Sequence, residues 1–204
     1  MTAVDAVDFA VTWDYRCPFA RNFSEHVVVA LEGGAPWNVR FIPFSLDQVR
    51  IEEGELDAWD NPSACRSLLA GQVGLVVRDR WPERFLAAHK ALFACRHDQS
   101  GDLRDEAALR QALTAAGVDA EAVFAEIASG WPLDTFRKEH EAVVTDYRVF
   151  GVPTVIVGDH AVFVRVMNRP GDDVDVARRT VERALDLLVG WPQLNEFKHT
   201  TIPR

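Results

Sequence analysis

Cys17 stands in the stretch VTWDYRCPFARNF, Val11 to Phe23, where a short apolar run gives way to a helical pattern. Cysteine acts as a nucleophile through its thiolate, so whatever raises the ionised fraction raises reactivity. At the junction of a strand and a helix the sulfur meets unpaired backbone N–H groups and the positive end of the helix dipole. Both favour the anion: a free thiol of pKa about 8.5 is a few per cent ionised at neutral pH, and a site that lowered it to about 6.5 would hold mostly thiolate. The expectation is a lowered Cys17 pKa, with Arg16 and Arg21 adding positive potential. Pro18 suits the first helical turn, where its missing N–H has no intrahelical partner. Ala20 occupies the place where a Cys-x-x-Cys helix carries its second sulfur. On this stretch alone, Cys17 reads equally well as a small buried hydrophobe.

The other candidate groups carry less. Asp14 and Tyr15 fall just before the thiol; an ionised Asp14 close to the sulfur would oppose the thiolate, but solvent exposure is the preferred reading for it. Cys65 in PSACRSLL and Cys95 in LFACRHD read as packing residues, and a disulfide from either to Cys17 requires Cα atoms within about 7 Å. Cys95 and His97 are two residues apart and diverge on a helix; no metal is expected. His89 and His140 fall on apolar stripes and read as core histidines. Arg165 and Arg169 could bind an anionic thiol cofactor, with surface solvation the preferred reading.

The elements that must position Cys17 are legible from hydrophobic period. VDFAVTW (Val7–Trp13) reads as a central strand buried on both faces. Phe23, Val27, Ala30 and Leu31 mark one helix face, stopped by Gly33-Gly34. WNVRFIPF (Trp37–Phe44) reads as a second strand, confined by Pro43 to an edge or a strand exit. From about 61 to 150 the patterns are helical: Phe85, Leu86, His89, Leu92 and Phe93 form one stripe, and Leu109, Ala112, Leu113 and Ala116 precede Gly117. Asp119 caps a helix with Val123, Phe124 and Ile127, and Phe136, Val143, Val144 and Tyr147 mark a longer one ending near Gly151. PTVIV and AVFV around Gly158-Asp159-His160 read as a hairpin, and Ala177, Val181, Ala184, Leu185 and Leu188 as a final helix. Three Trp-Pro pairs, at 81, 131 and 191, have unlike flanks and read as helix starts rather than a repeat.

With 204 residues and 48% hydrophobic content the chain can bury a full core. A net charge of −9 without a Lys/Arg-rich run argues against nucleic acid or an anionic membrane as partner. The N-terminal segment has acidic residues where a secretory leader needs basic ones, and three widely spaced cysteines suit reduced thiols, so a cytoplasmic protein is expected.

A second stretch, FGVPTVIVG (Phe150–Gly158), changes the weight on Cys17. Gly-Val-Pro-Thr before an apolar strand, far downstream of a Cys-Pro helix start, resembles the cis-proline loop of the thioredoxin fold, so Val152-Pro153 is expected to be cis. With DYRCPFA, VRFIPFSL and the long helical segment, the whole chain resembles the DsbA family. The resemblance implies an α/β, thioredoxin-like fold: residues 1–60 and 151–204 form the thioredoxin-like domain, with a helical domain, 61–150, inserted between its βαβ and ββα halves. VMNRPGDD and the tail LNEFKHTTIPR further resemble actinobacterial cytoplasmic members, a group that includes mycothiol-dependent reductases.

That resemblance implies a thiol–disulfide oxidoreductase in which Cys17 is the nucleophile, Pro18 and Phe19 shape the turn, and Val152 and Pro153 present backbone to the substrate. Because Ala20 cannot resolve a mixed disulfide, an external thiol, mycothiol or glutathione, must do so; no tightly bound cofactor is expected. The substrate would be a small thiol or disulfide, or a protein mixed disulfide, and an association of copies would take the form of a homodimer. Two alternatives share the architecture. One is a thiol-cofactor enzyme similar to kappa-class glutathione transferases and 2-hydroxychromene-2-carboxylate isomerases, which carry Ser where this chain has Cys17. The other is a binding protein without turnover.

Overall fold

The computed structural model describes residues 7–199 and 202. The start of the N-terminal segment and most of the last five residues of the tail, both used above, lie outside them. β1 (Val7–Trp13) is the inner strand that its nearly continuous apolar run predicts, although Val7 and Asp8 at its start are exposed: it lies between β2 (Trp37–Pro43) and β3 (Thr154–Val157) in a sheet of order β2-β1-β3-β4, with β4 at His160–Phe163. β1 runs parallel to β2, from Val7 opposite Trp37 to Trp13 opposite Pro43, and antiparallel to β3 through Ala10 and Val11. A parallel pair needs a crossover, which α1 (Pro18–Glu32) supplies. Pro43 closes β2 on the sheet edge, where its missing N–H costs no ladder bond. β3 and β4 form the expected hairpin, turning at Gly158 with φ of +55°.

Five α-helices separate β2 from β3: α2 (Leu68–Arg80), α3 (Pro82–His97), α4 (Glu106–Ala115), α5 (Ala120–Ala128) and α6 (Trp131–Tyr147); α7 (Val174–Gly190) follows the hairpin and packs on α1. The fold is thioredoxin-like α/β. α2 shows no apolar stripe because nine of its residues are buried, on all its faces. Its glycines allow this: a Cβ on Gly71 would stand 2.3 Å from Phe136 and one on Gly74 2.3 Å from the Tyr15 hydroxyl. One continuous core runs from Val11, Phe23 and Val181 through Trp13 and Phe41 to Val76, Phe85, Leu92 and Leu113, and a smaller one holds Trp59, Cys65, Leu75 and Phe136.

Three local expectations need correction. Trp81-Pro82 and Trp131-Pro132 begin helices, but Trp191-Pro192 ends one: Trp191 is the C-terminal cap of α7, and a proline just beyond a helix cannot continue it. α6 stops at Tyr147 rather than near Gly151, because Arg148 turns into the left-handed region with φ of 55°. β4 begins one residue earlier than AVFV, at His160.

Candidate active site

Cys17 is the N-cap residue of α1, with extended backbone (φ −86°, ψ 118°) and Pro18 in the first turn. Its N–H donates to the Asp14 carbonyl at 3.0 Å and its carbonyl accepts from Arg21 N–H at 3.1 Å, so the residue is fixed on both sides. The Cys17 thiol donates to the Val152 carbonyl at 3.3 Å, and the Val152–Pro153 peptide is cis. Residues 135 positions apart in sequence thus meet at one sulfur. The cis-proline loop is itself pinned: Thr154 N–H donates to Thr12 Oγ1 at 2.9 Å, Thr154 Oγ1 donates to the Gly151 carbonyl at 2.8 Å, and Val164 N–H donates to the Pro153 carbonyl at 2.9 Å. Val152 and Pro153 are buried, and it is the Val152 carbonyl that meets the sulfur. Pro18 is exposed and Phe19 half-buried, its ring 4.3 Å from the guanidinium carbon of Arg165.

The electrostatics depart from expectation. Burial pushes the Cys17 thiol above its ordinary value; the backbone N–H groups of Ala20 and Phe19 pull it back, Asp14 adds to the rise and Arg165 opposes it. The helix start does act on the sulfur, but removal from water outweighs it. A thiol that donates to a carbonyl is also held in its protonated form. Nor do Arg16 and Arg21 act as free positive charges: Arg16 pairs with Asp47 at 2.5 Å, and Arg21 pairs with Glu25 at 2.9 Å and with Asp98. Asp14 is not solvent-exposed. At 3% exposure, its carboxylate accepts Arg16 N–H at 2.8 Å and Leu46 N–H at 2.9 Å, tying the turn before Cys17 to the loop after β2. Burial raises its pKa, and those two N–H groups counter part of the rise.

Cys65 and Cys95 are engaged elsewhere, and all three thiols are free. Cys65 donates to the carbonyls of Ala58 and Asn61 at 3.6 Å each, and burial pushes its thiol up to about 11. Cys95 is buried so tightly against Gly101 that a Cβ there would stand 2.7 Å from its sulfur. Both histidines read as core residues are so placed. His89 bonds the Tyr15 hydroxyl at 2.8 Å through Nδ1, and burial drives it down to about 3. His140 accepts from Ser45 N–H at 3.2 Å and is lowered by burial to about 4. A cavity of about 280 Å³ beside His140 is lined by Val49, Trp59 and Val144 and does not reach Cys17. Among the described residues no group of three His, Cys, Asp or Glu side chains is placed to hold a metal ion.

Two supports escaped the sequence. His97 Nε2 donates to the Tyr15 carbonyl at 3.0 Å, bracing the turn from α3. Asn22 Nδ2 donates to the carbonyls of Val166 and Met167 at 2.9 and 3.0 Å, and His26 Nε2 donates to the Asn168 carbonyl at 3.1 Å. The signal was available: Asn22 and His26 stand four apart in α1, a spacing that puts both on one face.

Residues 10–176 match the DSBA-like thioredoxin domain. No curated protein sequence matches the chain significantly. Solved structures with a similar fold include Proteus mirabilis ScsC in a compact conformation, at 21% identity and a TM-score of 0.56 over 88% of this chain and 84% of that one. Pseudomonas aeruginosa DsbA matches at 20% identity and a TM-score of 0.54 over 91% and 87% of the two chains. The thiol-disulfide exchange protein alpha-DsbA2 of Wolbachia pipientis does so at 18% identity and a TM-score of 0.54 over 90% and 84%.

Proposed function

The chain belongs to the DSBA-like thioredoxin domain family, and from that premise we propose that it is a monothiol thiol–disulfide oxidoreductase with Cys17 as nucleophile. The observation that carries this is the meeting of the Cys17 sulfur with the Val152 carbonyl at 3.3 Å beside the cis Pro153, while Ala20, one turn along α1, is fully buried and brings no second sulfur.

The chemistry follows from that arrangement. Cys17 gives up its proton to solvent, and its thiolate attacks one sulfur of a disulfide R–S–S–R′. That bond breaks, R′–S⁻ leaves with the electron pair and takes up a proton, and Cys17–S–S–R remains. With no sulfur at Ala20, a thiolate R″–S⁻ from solution attacks the R sulfur and restores the Cys17 thiolate. The net change is R–S–S–R′ plus R″–SH giving R–S–S–R″ plus R′–SH. Pro18 and Phe19 shape the turn, and the backbone at Val152 and Pro153 receives the substrate. We assign R″ to mycothiol or glutathione, the substrate to a small disulfide or a protein mixed disulfide, and the setting to the cytoplasm, where such thiols are abundant and kept reduced.

Incubation with a glutathione mixed disulfide, followed by peptide mass spectrometry, should place the adduct on Cys17 and leave Cys65 and Cys95 unmodified. A protein that takes no adduct on Cys17 from any disulfide would sink the proposal. One observation favours a second reading: the protonated, hydrogen-bond-donating Cys17 resembles the hydroxyl of a serine, and in a transferase or isomerase it would donate to the sulfur of a bound thiol cofactor. Cys17→Ser separates the two. It should abolish disulfide exchange outright, whereas cofactor-driven activity would survive it.

A further inference from the structure

We infer that Arg165 selects the resolving co-substrate, favouring a low-molecular-weight thiol that carries a carboxylate, as glutathione does, over an uncharged one such as the sugar thiol mycothiol. The inference rests on the monothiol reading above and deepens it.

The backbone on either side of Arg165 is tied to the two elements that meet at Cys17. Val164 N–H is bound to the Pro153 carbonyl at 2.9 Å, and the Val166 carbonyl accepts from Asn22 of α1 at 2.9 Å. Arg165 therefore emerges between the cis-proline loop and the start of α1. Its guanidinium lies over the Phe19 ring, 4.3 Å from carbon to centroid, and Phe19 is two residues beyond the nucleophile. A planar guanidinium resting on an aromatic face keeps its N–H edge available to acceptors, and that edge matches a carboxylate through paired hydrogen bonds.

The other arginines near Cys17 are already neutralised. Arg16 pairs with Asp47, Arg21 with Glu25 and Asp98, and Arg169 with Glu25. Among the described residues, no ion pair and no side-chain hydrogen bond engages Arg165, and the residue is exposed. Its charge also reaches the Cys17 sulfur, where it opposes the rise that burial causes. A resolving thiol held by its carboxylate at Arg165 would approach the mixed disulfide beside the same cation that stabilises the departing Cys17 thiolate.

The test begins with Cys17 converted to its 2-hydroxyethyl mixed disulfide, an uncharged adduct. Second-order release rates are measured with glutathione, glutathione dimethyl ester and 2-mercaptoethanol, each normalised to thiolate concentration. The wild-type protein should prefer glutathione over its ester by about three- to tenfold at low salt, with the preference shrinking as salt rises. Arg165→Gln should bring the ratio to about one, and Arg165→Lys, which keeps the charge and loses the fork, should fall between. A ratio unchanged in Arg165→Gln, or a uniform slowing with all three thiols, overturns the inference. The two levels separate cleanly: an adduct released equally by every thiol defeats only the role of Arg165, and failure of Cys17 to form any adduct defeats the monothiol reading and this inference with it.

Discussion

The end of β1 feeds two aromatic regions of opposite character. Trp13 and Tyr15 enter a sealed box with Phe41, Phe85 and Phe93, all buried, with His89 among them and ring centroids 4.8 to 6.2 Å apart. Cys17, two residues after Tyr15, belongs instead to an open rim with half-buried Phe19 and exposed Arg165; Phe150, 71% exposed with its ring tilted against that of Phe163 at 5.4 Å, precedes the cis-proline loop. In the box, apolar contact and one neutral hydrogen bond between Tyr15 and His89 fix the position of the turn. On the rim, the side chains are left available for a reactant. Rigidity is concentrated beneath the sulfur and accessibility around it, which is what the nucleophile proposed above would require.

The contrast is broken most directly by truncating one ring in each region. Phe93→Ala, at a site with 0% exposure, should cost about 3–5 kcal/mol, because the neighbouring rings cannot close the cavity. Phe150→Ala should change stability by no more than about 0.5 kcal/mol. Urea unfolding measures both. Equal losses would mean that the rim is structural and that the division between the regions is false.

A second, smaller effect comes from the histidine in the box. Burial holds His89 neutral down to a pKa of about 3, against an ordinary 6.5. Between those values the unfolded chain binds a proton that the folded protein refuses, so the stability tied to neutral His89 is present above about pH 6.5 and is lost as the pH falls. From pH 7 to pH 5 that loss is about 2 kcal/mol. His89→Phe should flatten the pH dependence of urea unfolding by about that amount, whatever it does to stability at pH 7. An unchanged slope would place the acid sensitivity elsewhere, with His140 the first alternative.

What sequence could say about these two regions follows from their physics. The box residues recur with helical or strand period, since each must point inward from a regular element, and so Phe85, His89 and Phe93 were legible as one stripe. The meeting of Cys17 with Val152 was legible only through resemblance: neither a Cys-Pro helix start nor a Val-Pro-Thr strand start requires it alone, but together, in that order, they resemble the thioredoxin fold. α2 was not singled out, since a helix buried all round has no period to read and its two glycines look like breakers rather than contact points. Charge was the least legible. Arg16, Arg21 and Asp14 stand next to Cys17 in sequence, yet their partners Asp47, Asp98 and Leu46 come from loops and helix ends with no pattern to announce them. Arg165, whose charge does oppose the effect of burial on the sulfur, is remote from it in sequence.

The finest distinction between the regions is the protonation state of the thiol that separates them. A helix start alone would lower the Cys17 pKa, and burial alone would raise it; here burial prevails, with Asp14 on its side. Alkylation by iodoacetamide should therefore be slower at pH 7 than for a free cysteine peptide, and its rate should rise with pH through a midpoint above the ordinary thiol value. Cys65, pushed up to about 11 in its own apolar cluster, should react far more slowly still. Arg165→Gln should move the Cys17 midpoint further up, since it removes the cation that opposes burial. A Cys17 midpoint below neutrality would mean that the N–H groups of Phe19 and Ala20 dominate after all, and that the sulfur belongs electrostatically to the helix start rather than to the buried junction beneath it.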